Sequence, residues 1–295
     1  MGYGKHFLSE EKPQIDQEKL NSIVRHALVE DIGKGDITTQ LVISPEKEKE
    51  IEADILVKED CIVCGLQVME RVFKTVDSKV TVEVKAREAR KVKKGKVIAH
   101  VRGKASSIIT AERVALNLLS MLCAVATKTR EFVNKIEPYK VKITDTRKTI
   151  PGVRELQKYA VRIGGGFNHR MSLDEMILMK DNHIRVTEGY TKLPSVPKGF
   201  KIEIEVQNIE EFKHALRFKP DVIMLDNMQL KDIKKAVKIR NNTTFDSHHP
   251  RTKLEVSGGI NLKNIRNIAA SGVDIISIGE LTHSIEATDI SLDVK

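Results

Sequence analysis

Apolar positions change their spacing twice along this chain, and each change marks a change of architecture. From Gln17 to Asp31 the residues Leu20, Ile23, Val24, Ala27 and Leu28 recur at helical spacing, which predicts an amphipathic opening helix that stops before the turn at Gly33 to Asp36. From Lys49 to Val101 the period drops to two. Glu50-Ile51-Glu52-Ala53-Asp54-Ile55 and Val80-Thr81-Val82-Glu83-Val84 alternate as half-buried antiparallel strands do, with Lys93-Lys94-Gly95-Lys96 as a turn. Thr110 can then cap a long helix from Ala111 to about Glu137, with Val114, Leu118, Met121, Leu122 and Val125 as its core stripe. A second stripe, Arg113, Asn117, Ser120 and Thr127, is polar: either a solvated edge or a face turned toward a site or a subunit boundary.

Beyond Tyr139 the pattern settles into strand-then-helix units. Val141 to Asp145, Lys201 to Val206, Asp221 to Leu225, Leu254 to Ser257 and Asp274 to Ile278 are short and rich in β-branched residues. Helical stretches at Ile209 to Phe218, Leu230 to Arg240 and Asn261 to Ala270 lie between several of them. A parallel sheet with covering helices follows. A spacing of about twenty residues suits a barrel or a doubly wound sheet. Polar residues favour the barrel: Asp145-Thr146-Arg147, Glu205, Asp226, Ser257-Gly258-Gly259 and Gly279 each end or follow a predicted strand, and in a barrel such ends share one mouth. The fold class expected is α/β: a small N-terminal α+β domain followed by a barrel-like one.

Composition narrows the partners. The 295 residues are 40% hydrophobic and 31% charged, enough for an ordinary core. The formal charge of +9 permits nucleic acid, an anionic membrane or an anionic small molecule. Aromatics at 4% and no Trp leave few stacking platforms, so nucleic acid is not expected. The stretch Ala115 to Ala126 is broken by Asn117 and Ser120 and falls short of the ~20 residues that span a bilayer; no membrane is expected. The opening MGYGKHFLSEEK carries no apolar signal core, and His6 breaks a myristoylation pattern. Three cysteines make no disulfide framework, so a cytoplasmic location is expected.

Charge is concentrated. Residues 140 to 185 hold ten Lys and Arg against five Asp and Glu. Arg147 and Arg170 can each make paired hydrogen bonds to a carboxylate or phosphate, Lys148 and Lys180 act as point charges, and Gly164-Gly165-Gly166 before Asn168-His169-Arg170 lets the backbone approach a ligand. The Ser257-Gly258-Gly259-Ile260 loop and Gly279 sit where barrels often hold a phosphate. Glu205 and Asp226 are the complementary acids; they can hold Mg²⁺ through water, accept from sugar hydroxyls, or pair with the nearby cations. Cys61-x-x-Cys64 reads as packing, and His248-His249 as a solvated loop. No nucleophile elbow, Walker loop or dinucleotide fingerprint appears in the sequence.

Taken in order, Glu30-Asp31 with Gly35-Asp36-Ile37-Thr38-Thr39, Glu112-Arg113, Thr146-Arg147-Lys148-Thr149, Asn168-His169-Arg170, Lys180-Asp181-Asn182-His183, Glu203 to Val206, Leu225-Asp226-Asn227-Met228, Ser257-Gly258-Gly259-Ile260 and Leu281-Thr282-His283-Ser284 resemble quinolinate phosphoribosyltransferases over most of the chain. The intact Asn-His-Arg and Lys-Asp-Asn-His segments favour that family over its molybdenum-transport-associated relatives. Leu122 to Thr127 and Ser172 depart from the family pattern without removing a charge.

The resemblance implies an N-terminal α+β open-sandwich domain over residues 1–112, an incomplete TIM-like α/β barrel over 113–280, and a tail, 281–295, able to pack back on the first domain. It implies transfer of phosphoribosyl from phosphoribosyl pyrophosphate to quinolinate with loss of CO₂, and Mg²⁺ as cofactor. Lys148, Lys180, Glu205 and Asp226 would be catalytic, and Glu205 and Asp226 would hold the metal. Arg147, His169 and Arg170 would bind quinolinate, joined by Arg113 donated across a homodimer, which could assemble further; Lys148 and Lys180 would serve the pyrophosphate or the substrate carboxylates, Glu205 and Asp226 would meet the ribose, and Thr146 would also contact substrate. Ser257, Gly258, Gly259 and Gly279 would surround the 5′-phosphate.

Overall fold

A computed structural model describes residues 6–190, 199–244 and 251–295. His248 and His249 lie outside these residues. The chain forms two compact units, each assembled from separated segments: Lys12–Arg130, Thr149–Gly165 and Leu281–Lys295 make one, and Met1–Glu11, Glu131–Lys148 and Gly166–Glu280 the other.

The first unit is built on an antiparallel sheet in the order Ile290–Val294, Glu50–Val57, Val97–Lys104, Thr81–Val84. The period-two alternation works as read: Ala53, Ile55 and Val57 are fully buried, while Glu50 and Glu52 stand opposite Lys104 and Arg102 on the outer face. The sequence from Lys49 to Val101 also hides a helix, Leu66–Val76, which buries Leu66, Val68, Met69, Val72 and Phe73. Gly65 starts it in a left-handed conformation, and the Glu88 carboxylate accepts the Gly65 and Leu66 N–H groups. Asp16 caps the opening helix Gln17–Ile32 by accepting from the Glu18 and Lys19 N–H groups. Asp36, the last residue of the turn read from the sequence, caps a short helix, Ile37–Val42, that the sequence reading does not assign.

The long helix runs Ala105–Lys135, starting five residues before its apparent cap, Thr110. Thr110 lies inside it and donates to Asp36 Oδ2 at 3.0 Å. The true start is braced from a distance: Ala105 N–H donates to the Lys49 carbonyl, and the Ser106 hydroxyl and N–H donate to Glu48. This helix is long and apolar enough to cross a membrane, yet 61% of its apolar window is buried inside the protein, as a core helix requires. Its polar stripe divides. Arg113 and Asn117 are exposed, whereas Ser120 accepts the Thr288 N–H through its carbonyl and Thr127 Oγ1 accepts the Ile62 N–H at 2.8 Å. Cys61, Cys64 and Cys123 are buried free thiols that pack here. A further helix, Arg154–Ile163, ends at Gly164, where a Cβ would stand 2.5 Å from Thr129 Cβ and 2.6 Å from the Ala126 carbonyl oxygen. Close helix packing, rather than room for a ligand, accounts for that glycine.

The second unit carries, among its described residues, a six-stranded parallel sheet in the order Lys142–Thr144, Ile275–Ser277, Lys253–Ser257, Val222–Asp226, Ile202–Val206, Ile177–Met179. Helices Ile209–Leu216, Leu230–Asn241 and Ile265–Ala269 return the chain between strands. Beyond Lys142–Thr144 the pairing continues through isolated parallel bridges, Thr144 with Phe167 and Phe7 with Asn168, so the sheet curls toward closure without a full final strand. It is an incomplete α/β barrel. Phe7, Leu8, Met176, Val222 and Ile275 form one buried cluster of its core.

Candidate active site

Parallel registers bring the strand ends level. Thr144 pairs with Ser277, Ser277 with Ser257, and Ser257 with Asp226, so one row at the carboxyl end carries two hydroxyls, a third at the loop entrance, and an acid. Glu205 pairs with Met224, two residues below that row. Every residue expected at the site, Arg113 excepted, belongs to this unit. Arg113 is exposed and lies 3.8 Å from Glu112.

The loop after Lys142–Thr144 begins with Asp145, which is fully buried. Its carboxylate accepts the His169 N–H at 2.9 Å and Asn168 Nδ2 at 2.5 Å, tying the Asn-His-Arg segment to the strand. Thr146 Oγ1 accepts the Lys148 N–H at 3.0 Å, a local turn that leaves Lys148 exposed. Arg170 is 6% exposed and donates from Nη1 to the Met176 carbonyl. Burial holds its guanidinium below the usual basicity, and the like charge of Arg147 adds to that effect. Arg147 Nε is buried with no hydrogen-bond partner among the described residues. Two guanidiniums near enough to repel, one of them with a dry and unmatched donor, suit an anion with two carboxylates.

At the other side Lys180 Nζ donates to Glu205 Oε2 at 2.5 Å, and Glu205 is 7% exposed. His183 Nδ1 accepts the Lys180 N–H, so His183 supports the lysine. Glu205 also lines a cavity of about 420 Å³ with Asp181, Arg185, Tyr190, Gln207 and His214. Asp226 is half-buried and accepts from Asn227 Nδ2 at 2.9 Å. Asn227 N–H donates to the Ser257 carbonyl, and Gly258, at φ +86°, faces Asn227 so closely that a Cβ would stand 2.2 Å from its Oδ1. Gly279 follows Ile278, whose N–H donates to the Thr144 carbonyl.

His169 is 4% exposed and its ring enters the barrel. Nε2 lies 3.1 Å from Glu203 Oε2 and 3.5 Å from Glu255 Oε1; the Phe7 ring meets it edge-on at 5.1 Å. Glu203 and Glu255 are both fully buried, and the sequence reading did not single them out as site residues. Burial pushes both carboxyls up to about 8. Arg170 and Lys180 oppose that rise at Glu203 and His169 opposes it at Glu255, while the charge of Glu203 adds to it at Glu255. The signal for them is faint: their strands, Ile202–Val206 and Lys253–Ser257, alternate polar and apolar residues as half-solvated strands do, with Glu205 on the face of Glu203 and Lys253 and Ser257 on the face of Glu255.

Comparison with known proteins places this arrangement. Residues 36–123 match the family model described as quinolinate phosphoribosyl transferase, N-terminal domain, and residues 125–293 match that of its C-terminal domain. A probable nicotinate-nucleotide pyrophosphorylase [carboxylating] of Bacillus subtilis is 37% identical over 94% of this chain and 93% of its own length. One from Methanocaldococcus jannaschii is 39% identical over 92% and 96%. The solved nicotinate-nucleotide pyrophosphorylase of Francisella tularensis superposes with a TM-score of 0.87 at 39% identity, covering 97% of this chain and all of the other. The chain, with both domains matched and its cations and acids gathered at the strand ends of an incomplete barrel, belongs to the quinolinate phosphoribosyltransferase family.

Proposed function

We propose that the protein transfers phosphoribosyl from phosphoribosyl pyrophosphate to the ring nitrogen of quinolinate and releases the 2-carboxylate as CO₂, yielding nicotinate mononucleotide and pyrophosphate in NAD biosynthesis. The observation that carries this reading is the Arg147 and Arg170 pair, like charges close enough to repel, Arg170 buried and Arg147 half-buried with an enclosed Nε that has no partner among the described residues. A dianion with two carboxylates on adjacent carbons relieves that repulsion.

In the reaction the bond from ribose C1′ to the pyrophosphate oxygen breaks, and its electron pair leaves with pyrophosphate. The quinolinate nitrogen lone pair forms the new bond to C1′. Arg147 and Arg170 hold the dicarboxylate, Thr146 turns the loop that carries Arg147, and His169 backs Arg170 from inside the barrel. Lys148 and Lys180 take the charge gathering on pyrophosphate, while Glu205 and Asp226 favour the positive charge that develops on the ribose. Ser257, Gly258, Gly259 and Gly279 receive the 5′-phosphate on their main chain. The electron pair of the breaking carboxylate bond stays on C2 as CO₂ leaves, stabilised by the adjacent cationic ring nitrogen, and C2 then takes a proton from water. No base is required, and positioning is the protein's main contribution.

Two carboxylates at neighbouring strand ends form an all-oxygen donor set of the kind a hard divalent cation takes, so Glu205 and Asp226 would hold Mg²⁺, directly or through water. Such an ion would neutralise the leaving pyrophosphate. The exposed Arg113 would complete a partner's site in a homodimer, itself able to build higher oligomers. The unpaired thiols are in keeping with a cytoplasmic setting. Incubation with quinolinate, phosphoribosyl pyrophosphate and Mg²⁺ should release nicotinate mononucleotide and CO₂ in equal amounts; no product at any Mg²⁺ concentration would refute the reading.

A further inference from the structure

Arg170 holds a long side chain in a dry place against the like charge of Arg147. A flexible side chain presents its fork in one direction only if something fixes it. What fixes it is the loop that follows. Arg170 Nη1 donates to the Met176 carbonyl at 2.9 Å, so the guanidinium is tied to main chain six residues further on. That carbonyl is within reach because the chain bends back between Met171 and Glu175, and the Glu175 side chain closes the bend: its Oε2 accepts the Met171 N–H at 2.6 Å. The other oxygen of this carboxylate, on a side chain only 14% exposed, accepts from His6 Nδ1. The next two residues meet the start of the same segment. The Phe7 ring packs edge-on to His169 at 5.1 Å, and the Leu8 N–H donates to the Asn168 carbonyl at 3.0 Å. Phe7 and Leu8 are themselves buried in the barrel core together with Met176.

We propose that Glu175 is a positioning residue for the dicarboxylate end of the site. By closing the bend behind Arg170 it holds the Met176 carbonyl against the guanidinium, and so it sets the direction in which Arg170 offers its remaining donors to the substrate. His6 holds the Glu175 carboxylate from its far side, so the segment His6-Phe7-Leu8 straps both ends of the Asn168 to Met176 stretch to the barrel core. The bend carries no group assigned to phosphoribosyl pyrophosphate, so a fault in it should be felt by one substrate and not the other. The assignment rests on the quinolinate reading above.

Glu175→Ala opens the bend, and Glu175→Gln keeps an oxygen for the Met171 N–H. The Ala variant should raise the KM for quinolinate about tenfold, the order expected when a hydrogen bond to a charged group is lost. Its KM for phosphoribosyl pyrophosphate should stay within about twofold of wild type, and kcat should fall less than kcat/KM. Glu175→Gln should recover most of the quinolinate affinity. Amide hydrogen exchange should find Met171 protected in the wild type and the Gln variant and exposed in the Ala variant. A folded Glu175→Ala protein whose quinolinate KM is within about twofold of wild type overturns the proposal, as does an equal rise for both substrates or a Gln variant as impaired as the Ala one. Should Glu175→Ala not fold, His6→Ala, which frees the carboxylate from its other partner, must give a quinolinate-selective rise of about threefold or the proposal fails. A wild type that makes no nicotinate mononucleotide overturns the functional reading and this assignment together, whereas an active wild type beside an unimpaired Ala variant overturns the assignment alone.

Discussion

Arg147 and Arg170 are worth more as forks than as charges. A guanidinium offers two parallel donors to a carboxylate, whereas an ammonium at the same position offers a point charge. Arg147→Lys should therefore keep the charge and still raise the quinolinate KM by roughly tenfold to a few hundredfold, which steady-state kinetics would reveal; an unchanged KM would mean that charge alone suffices. These cations are legible in the sequence because they are crowded: ten basic residues in 46 with half as many acids is unlike a solvated face. Glu203 and Glu255 are not legible in the same way. Ile-Glu-Ile-Glu-Val and Lys-Leu-Glu-Val-Ser alternate as strands with one wet face do, yet in a parallel sheet both faces are covered and the acids point inward. His183 is an intermediate case, a residue inside the basic segment that turns out to brace Lys180 through a main-chain bond.

At the scale of elements, the strands read from the sequence begin and end within a residue or two of those observed, because short β-branched runs bounded by polar residues leave little freedom of placement, whereas Ile177–Met179 and Ile290–Val294 go unread. Helix starts are less readable. Thr110 looks like a cap, but the helix begins at Ala105 because Glu48, 58 residues away from Ser106, supplies the acceptor there. The helices Leu66–Val76 and Arg154–Ile163 were missed although Leu66, Met69, Val72 and Phe73, or Leu156, Tyr159, Ala160 and Ile163, recur at helical spacing. Gly164 shows how an element's neighbour sets its residue. Gly164→Ala would drive a methyl into the Ala126 carbonyl and Thr129, and should cost roughly 1 to 3 kcal/mol by denaturant unfolding, with both substrate KM values changed little at the first ångström of adjustment. A variant as stable as wild type would show that the helix yields freely.

For the whole molecule, two buried acids with raised pKa values tie stability to pH. Each holds its proton to about 8 in the fold but only to the ordinary carboxylate range when unfolded. Between those limits the native state binds more protons than the unfolded state, so stability is fullest below about 4.5 from this source and declines as pH rises toward about 8. Glu255→Gln removes one of the two, and its melting temperature should fall less than that of wild type between pH 5 and 8; parallel curves would exclude Glu255 from the linkage. Assembly makes a separate prediction. If Arg113 serves a partner's site, mixing inactive Arg113→Ala and Arg147→Ala proteins should restore part of the activity through hybrid dimers, and no recovery despite demonstrated subunit exchange would end that idea.

Both compact units are discontinuous, and this bears on how the chain is made. Phe7 packs in a barrel core whose strand Ile275–Ser277 begins 268 residues further along (275 − 7), and the sheet edge beside Glu50–Val57 is formed by Ile290–Val294. A ribosome delivers the amino end first, so neither unit can close its core until the last segments have emerged. Long-range closures of this kind fold slowly. The nascent chain must therefore carry an unfinished barrel and an open strand edge beside Glu50–Val57 until Ile275–Ser277 and Ile290–Val294 have been made, which leaves apolar surface and unpaired backbone open to aggregation through most of its synthesis.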